Sequence, residues 1–115
     1  MSTRATDRPS TLDTTVLRRR LLDHRRELDE QMRTATTALH RLRTTADVTD
    51  PDVQPALMAA LRSLDRSERE AIEVADALTR LAEGRLGQCD RCGSGIDDEL
   101  VVARPLVRLC SRCHP

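Results

Sequence analysis

The sequence predicts a mainly α protein: a long antiparallel helical hairpin of coiled-coil type, followed by a small four-cysteine finger carrying a short β-hairpin. Three observations predict it. Apolar residues recur at helical spacing over two stretches, a short breaker-rich segment joins them, and two Cys-x-x-Cys pairs lie in the final part of the chain.

The composition favours the same shape. The 115 residues include no Phe, Tyr or Trp and are 33% charged and 38% hydrophobic. Aromatic rings supply much of the buried area of a compact core, so an elongated hairpin suits this chain better than a globule. Without rings there are no platforms for stacking single-stranded bases. A formal charge of zero argues against a duplex binder working by counterion release. Met1 to Thr15 hold no apolar core of the kind a signal peptide needs. No apolar run approaches the roughly 20 residues that cross a bilayer. The expectation is a soluble cytoplasmic chain with no membrane partner. In a reducing compartment its four cysteines form a metal site in preference to two disulfides.

Residues 1–11 read as a disordered tail and residues 12–86 as the hairpin. In the first helix Leu17, Leu21, His24, Leu28, Met32, Ala35, Leu39, Leu42 and Ala46 step by three or four, with a mean near 3.6. The second helix shows Leu57, Leu61, Leu64, Ala71, Ala75, Leu78 and Ala82, with Glu68 interrupting the stripe. Ile72, Val74 and Leu81 stand beside that stripe and suggest spare apolar surface. Two helices with one narrow stripe each must cover one another. The short connection between them makes them antiparallel neighbours. If Asp52 is the N-cap of the second helix, Pro55 falls at its third position, where the missing N–H has no intrahelical partner to lose. Gly84, followed by Gly87, supplies the stop. A helix of about 30 residues makes an arm on the order of 45 Å long.

Charge is distributed unevenly along this hairpin. Residues 16–43 carry eight Arg against four acids, whereas residues 44–52 carry Asp47, Asp50 and Asp52 and no base. The acidic tip at 46–52 is therefore a candidate contact site. The Arg18, Arg19, Arg20, Arg25 and Arg26 cluster wraps around its helix, which dilutes it as a patch.

Residues 87–115 form the finger. Cys89 and Cys92 make one Cys-x-x-Cys pair, Cys110 and Cys113 another, with 17 residues between the pairs. Such spacing brings four thiolates onto one structural Zn²⁺ ion and leaves no open coordination position. Spacing alone does not separate zinc from iron; zinc is the default for a cytosolic structural site. Gly93 is free to take positive φ after Cys92, and Arg91 and Arg112 are placed to offset the net negative charge. Leu100–Ala103 and Leu106–Leu109 are β-prone runs broken by Arg104 and Pro105, which suits a small hairpin. Such a small unit depends on its metal to fold. Cys110 to His114 also spell a haem-attachment motif, which would leave Cys89 and Cys92 unused. His114 is an alternative metal ligand. A thioredoxin-like pair would need a βαβ context, and none is visible.

An acidic-tipped helical hairpin followed by Gly87-Gln88-Cys89-Asp90-Arg91-Cys92-Gly93-Ser94-Gly95-Ile96, Ala103-Arg104-Pro105 and Leu109-Cys110-Ser111-Arg112-Cys113 resembles the DksA/TraR family of bacterial transcription regulators. The resemblance implies a non-enzymatic protein that binds RNA polymerase through its secondary channel, tip toward the active centre, with a structural zinc finger. It implies no sequence-specific contact with nucleic acid. The family's D-x-x-D-x-A tip motif matches Asp47 and Asp50, while Asp52 replaces the alanine and has a competing assignment as a helix cap. Some members respond to guanosine tetraphosphate through basic residues near the finger; this sequence does not allow that site to be placed. The rival expectation is a zinc-binding coiled-coil adaptor or homodimer, against a monomer for the regulator. A nucleic-acid-binding ribbon using Arg91, Arg104, Arg108 and Arg112 is opposed by the nearby Asp90, Asp97, Asp98 and Glu99.

Overall fold

A computed structural model describes residues 12–45, 47 and 49–114. The expected disordered tail, 1–11, lies outside the described residues, as do Ala46 and Val48 of the tip. Helices α1 (Thr14–Thr45) and α2 (Val53–Ala82) are followed by a short helix α3 (Asp98–Ala103). The chain divides into two compact units, one of Asp23–Glu73, the other of the residues up to Leu22 with those from Val74 onward.

α1 begins because Asp13 caps it. Its Oδ1 accepts from Thr15 N–H at 3.0 Å and Val16 N–H at 3.3 Å, satisfying donors that the first turn cannot pair internally. The helices run antiparallel as expected. Within the Asp23–Glu73 unit, His24 Nε2 meets Glu70 Oε2 at 2.5 Å, and the Ser67 hydroxyl donates to Gln31 Oε1 at 3.1 Å. Partners that advance along α1 retreat along α2.

The apolar seam of α1 matches the expected stripe: Leu17, Leu21, Leu28, Ala35 and Leu39 are buried, with His24, Met32 and Leu42 half-buried. The seam of α2 differs in register. Val53, Ser67, Val74, Ala77 and Leu81 are buried, while Leu61, Ala75 and Ala82 are exposed. Read with half-buried Leu57, Ala60, Leu64, Ala71 and Leu78, the seam steps alternately by four and three, as in a coiled coil. It passes through Ser67, a polar residue that satisfies its hydroxyl on Gln31, and not through Glu68. The spare surface suggested by Ile72, Val74 and Leu81 reduces to Ile72, since the other two lie in the seam.

α2 starts and stops as the sequence indicates. The Asp52 carbonyl accepts from Ala56 N–H, so Pro55 occupies the third helical position without costing a bond. At the far end Gly84 has φ +74°, Gly84 N–H donates to Leu81 O and Arg85 N–H to Arg80 O. This pair of bonds is a Schellman motif, which requires a left-handed residue at the glycine.

The run expected as the first β-strand of the finger is helical. Leu100–Ala103 belongs to α3, because Asp97 caps Glu99 N–H and Asp98 and Glu99 place negative charge at the helix start. Val101 is thereby fully buried, which a solvent-facing hairpin would not achieve. Antiparallel pairing among the described residues is an isolated bridge between Gln88 and Gly95, directly around the first cysteine pair.

Candidate functional site

The first cysteine pair sits in a tight turn. Gly93 N–H donates to Cys89 O at 2.9 Å and Cys89 N–H to Ser94 O at 2.8 Å, with Gly93 at φ +78°. The positive φ demands glycine and turns the chain back beside Cys89. The second pair repeats the turn, with Cys113 N–H and His114 N–H both donating to Cys110 O. The two pairs are tied together by Asp90 N–H donating to Arg108 O at 2.8 Å.

These turns bring all four sulfurs, of Cys89, Cys92, Cys110 and Cys113, within 4.8 Å of one another. None of the four is joined in a disulfide. Cys92 Sγ and Cys110 Sγ lie 3.7 Å apart. Four sulfurs bound tetrahedrally at about 2.3 Å from a central ion would be separated by about 3.8 Å, so the arrangement fits a metal ion. His114 is not part of the cluster. Convergence of both pairs on one point also removes the reason to treat Cys110 and Cys113 as a separate haem-attachment pair.

The local dipoles favour sulfur anions unevenly. Backbone N–H groups near Cys110, Cys92 and Arg91 pull the Cys89 thiol down to about 6 against the opposing effect of burial. The Ser94 hydroxyl, 3.0 Å from Cys92 Sγ, together with the Ser94 backbone, lowers Cys92. Burial and the neighbouring thiols push Cys113 up to about 12. Four thiols this close compete for charge, and a cation among them relieves that competition.

The tip aspartates lie in the α1–α2 connection, and all three are exposed. Asp47 Oδ1 accepts from Thr49 N–H at 2.9 Å and from the Thr49 hydroxyl at 2.7 Å. Asp50 Oδ1 accepts from Asp52 N–H at 2.9 Å, and Asp50 O from Val53 N–H at 3.1 Å. Asp47 and Asp50 thus each close a turn two residues on. The bonds from Thr49 hold the Asp47 carboxyl below its ordinary range. One oxygen of each carboxylate is engaged in its turn.

Several residues that shape the site carry no obvious motif. Ser94 contacts a sulfur, and Asp90 joins Arg108 by side chain as well as backbone. Arg112, expected to offset the thiolates, donates to the Ser94 hydroxyl at 3.2 Å. A Ser two residues after a Cys-x-x-Cys pair was a readable signal; the Asp90–Arg108 pairing, across 18 residues, was not.

No family profile and no curated protein matches the chain. Among solved structures, the transcription factor DksA2 from Pseudomonas aeruginosa matches with a TM-score of 0.76 and 28% identity, covering 84% of this chain and 76% of its own. No described helix is long and apolar enough to cross a membrane.

Proposed function

The chain has the fold and the clustered four-cysteine site of the DksA/TraR family, and from that premise we propose that it is a non-enzymatic regulator of bacterial transcription initiation. The likeness to a DksA transcription factor over most of both chains is the observation that carries this reading. Its partner is RNA polymerase, entered through the secondary channel, and it acts as a cytoplasmic monomer. Residues 12–86 serve as the hairpin and 87–115 as the finger.

Cys89, Cys92, Cys110 and Cys113 hold one Zn²⁺, whose chemistry here is structural: four thiolates leave no position for substrate or water. Asp47, Asp50 and Asp52 present carboxylates close to the polymerase active centre. Each carboxylate can organise water, cation or basic side chains without transferring atoms. The regulatory effect is then a difference in binding free energy between initiation states. Asp47 and Asp50 carry the function in this reading, and Asp52 opens α2 as its cap residue. Arginines on both segments speed association with an acidic polymerase surface.

Affinity-tagged protein expressed in its own host should co-purify stoichiometrically with RNA polymerase core subunits. Recovery of the protein free of polymerase, or as a stable homodimer, contradicts the reading.

A further inference from the structure

Four charged side chains lie beside the cysteine pairs, and neither the sulfurs nor the tip accounts for them. Arg80, near the end of α2, is 2% exposed although it carries a full charge. Its Nε lies 3.2 Å from Asp76 Oδ2 and its Nη1 3.8 Å from Asp90 Oδ1. None of its guanidinium nitrogens completes a well-formed hydrogen bond. Arg108 Nε donates to Asp90 Oδ2 at 2.8 Å and lies 3.8 Å from Asp76 Oδ2. Asp90 directly follows Cys89, and Arg108 stands two residues before Cys110.

We propose that Asp90, Arg108, Arg80 and Asp76 form a charge clasp that sets the register of the two cysteine pairs and so preorganises the four sulfurs for a metal ion. Arg80 and Arg108 are its positioning residues, acting on the ion through Asp90. The inference rests on the reading that the four cysteines hold a metal.

Two reciprocal bonds join the same two residues: Asp90 N–H to Arg108 O, and Arg108 Nε–H to Asp90 Oδ2, both at 2.8 Å. One bond alone would permit rotation about it; the pair fixes the separation and direction of the two strands of chain that lead into the sulfurs. Arg80 then explains why the clasp stays in place. Burying a guanidinium is unfavourable unless carboxylates neutralise it, and its removal from water makes the position of Asp90 costly to change. Asp76 supplies the fourth charge, so the quartet is neutral and anchors the first pair to the last turns of α2. Packing alone does not call for an arginine here, because an apolar side chain of similar volume commonly packs as well or better. Ligands held in place before binding release their ion more slowly than ligands that must be gathered.

The test uses the full-length protein loaded with Zn²⁺, transfer of the ion to excess chromogenic chelator being timed while far-UV circular dichroism monitors helix content. Asp90→Asn and Arg108→Met should release zinc about 10- to 100-fold faster than the parent, and Arg80→Met about 10-fold faster, with helix content retained. The Asp90→Asn, Arg108→Met double variant should be no faster than the faster single variant, since both remove the same clasp. Release within about twofold of the parent in all folded variants, or multiplicative effects in the double variant, overturns the proposal. Should Arg80→Met fail to fold, the partly exposed Asp90 and Arg108 decide the matter. A parent protein that takes up no zinc removes the metal reading itself, and the clasp with it.

Discussion

Asp47 and Asp50 each close a turn and, in the proposed function, also present a carboxylate, so the two effects must be separated when they are tested. Replacement by alanine removes the carboxylate and the turn together, because each Oδ1 accepts a backbone N–H two residues on. Asparagine keeps the accepting oxygen and removes the charge. The pair of aspartates was legible as a motif; that their side chains build the turn was legible only locally, from Thr49 and Pro51. Asp47 also predicts a pH response. Its folded carboxyl is held below the ordinary value near 3.8, so the turn is fully stabilised above that value and loses the contribution as pH falls through the lower folded one. Thr49→Val should move the Asp47 titration, followed by carboxyl NMR, back up toward the ordinary value; an unchanged titration would show that the Thr49 hydroxyl bond is not maintained. At Gly84, φ +74° with open space around the missing Cβ leaves backbone strain as the whole cost of a side chain. Gly84→Ala should lower stability by about 1–2 kcal/mol in chemical denaturation.

At the scale of elements, the lesson lies in α2 and α3. The stripe of α1 was readable because its seam is occupied almost entirely by Leu and Ala at a steady period. In α2 the period was readable but its register was not, because the seam runs through Ser67 and because exposed Leu61, Ala75 and Ala82 imitate seam residues. A hydroxyl that finds Gln31 counts as a seam residue physically, though not on a hydropathy count. The β-branched Val101 and Val102 make the sequence of α3 look like a strand, whereas Asp98–Ala103 is helical. Propensity lost to capping: Asp97 begins the helix and Asp98 and Glu99 favour its positive end. Asp97→Ala should therefore destabilise the protein by about 1 kcal/mol, measured by thermal unfolding. Leu28, 2% exposed in the α1 seam, should cost about 2–5 kcal/mol on replacement by alanine in the same assay. A change below about 0.5 kcal/mol would show that the two seams do not pack as described.

For the whole molecule, the missing aromatic rings and the zero net charge acquire structural explanations. The core is a Leu, Val and Ala seam between two helices, supplemented by Ile96, Val101 and buried Cys89 and Cys110. Zero charge is a sum over a basic α1, an acidic connection, a slightly acidic α2 and a finger whose four Arg are balanced by Asp90, Asp97, Asp98 and Glu99. The four cysteines and the overall helical plan were legible because metal spacing and 3.6-residue periodicity are local patterns. The clasp beside them was not, because it joins residues far apart in sequence. With the proposed Zn²⁺ bound to the four cysteines, its removal by a strong chelator should abolish amide protection at Ile96 and Val101 while leaving it at Leu28 and Leu39, as read by hydrogen exchange.

In the proposed function, tip carboxylates held by this fold alter RNA polymerase at promoters. The decisive experiment is the lifetime of promoter complexes in a reconstituted reaction with purified host polymerase, comparing the parent protein with its Asp47→Asn, Asp50→Asn variant. The parent is predicted to change the lifetime, and the variant to bind polymerase with similar affinity while losing most of that change. Equal effects of parent and variant, or no effect of the parent on a polymerase it binds, would contradict the account.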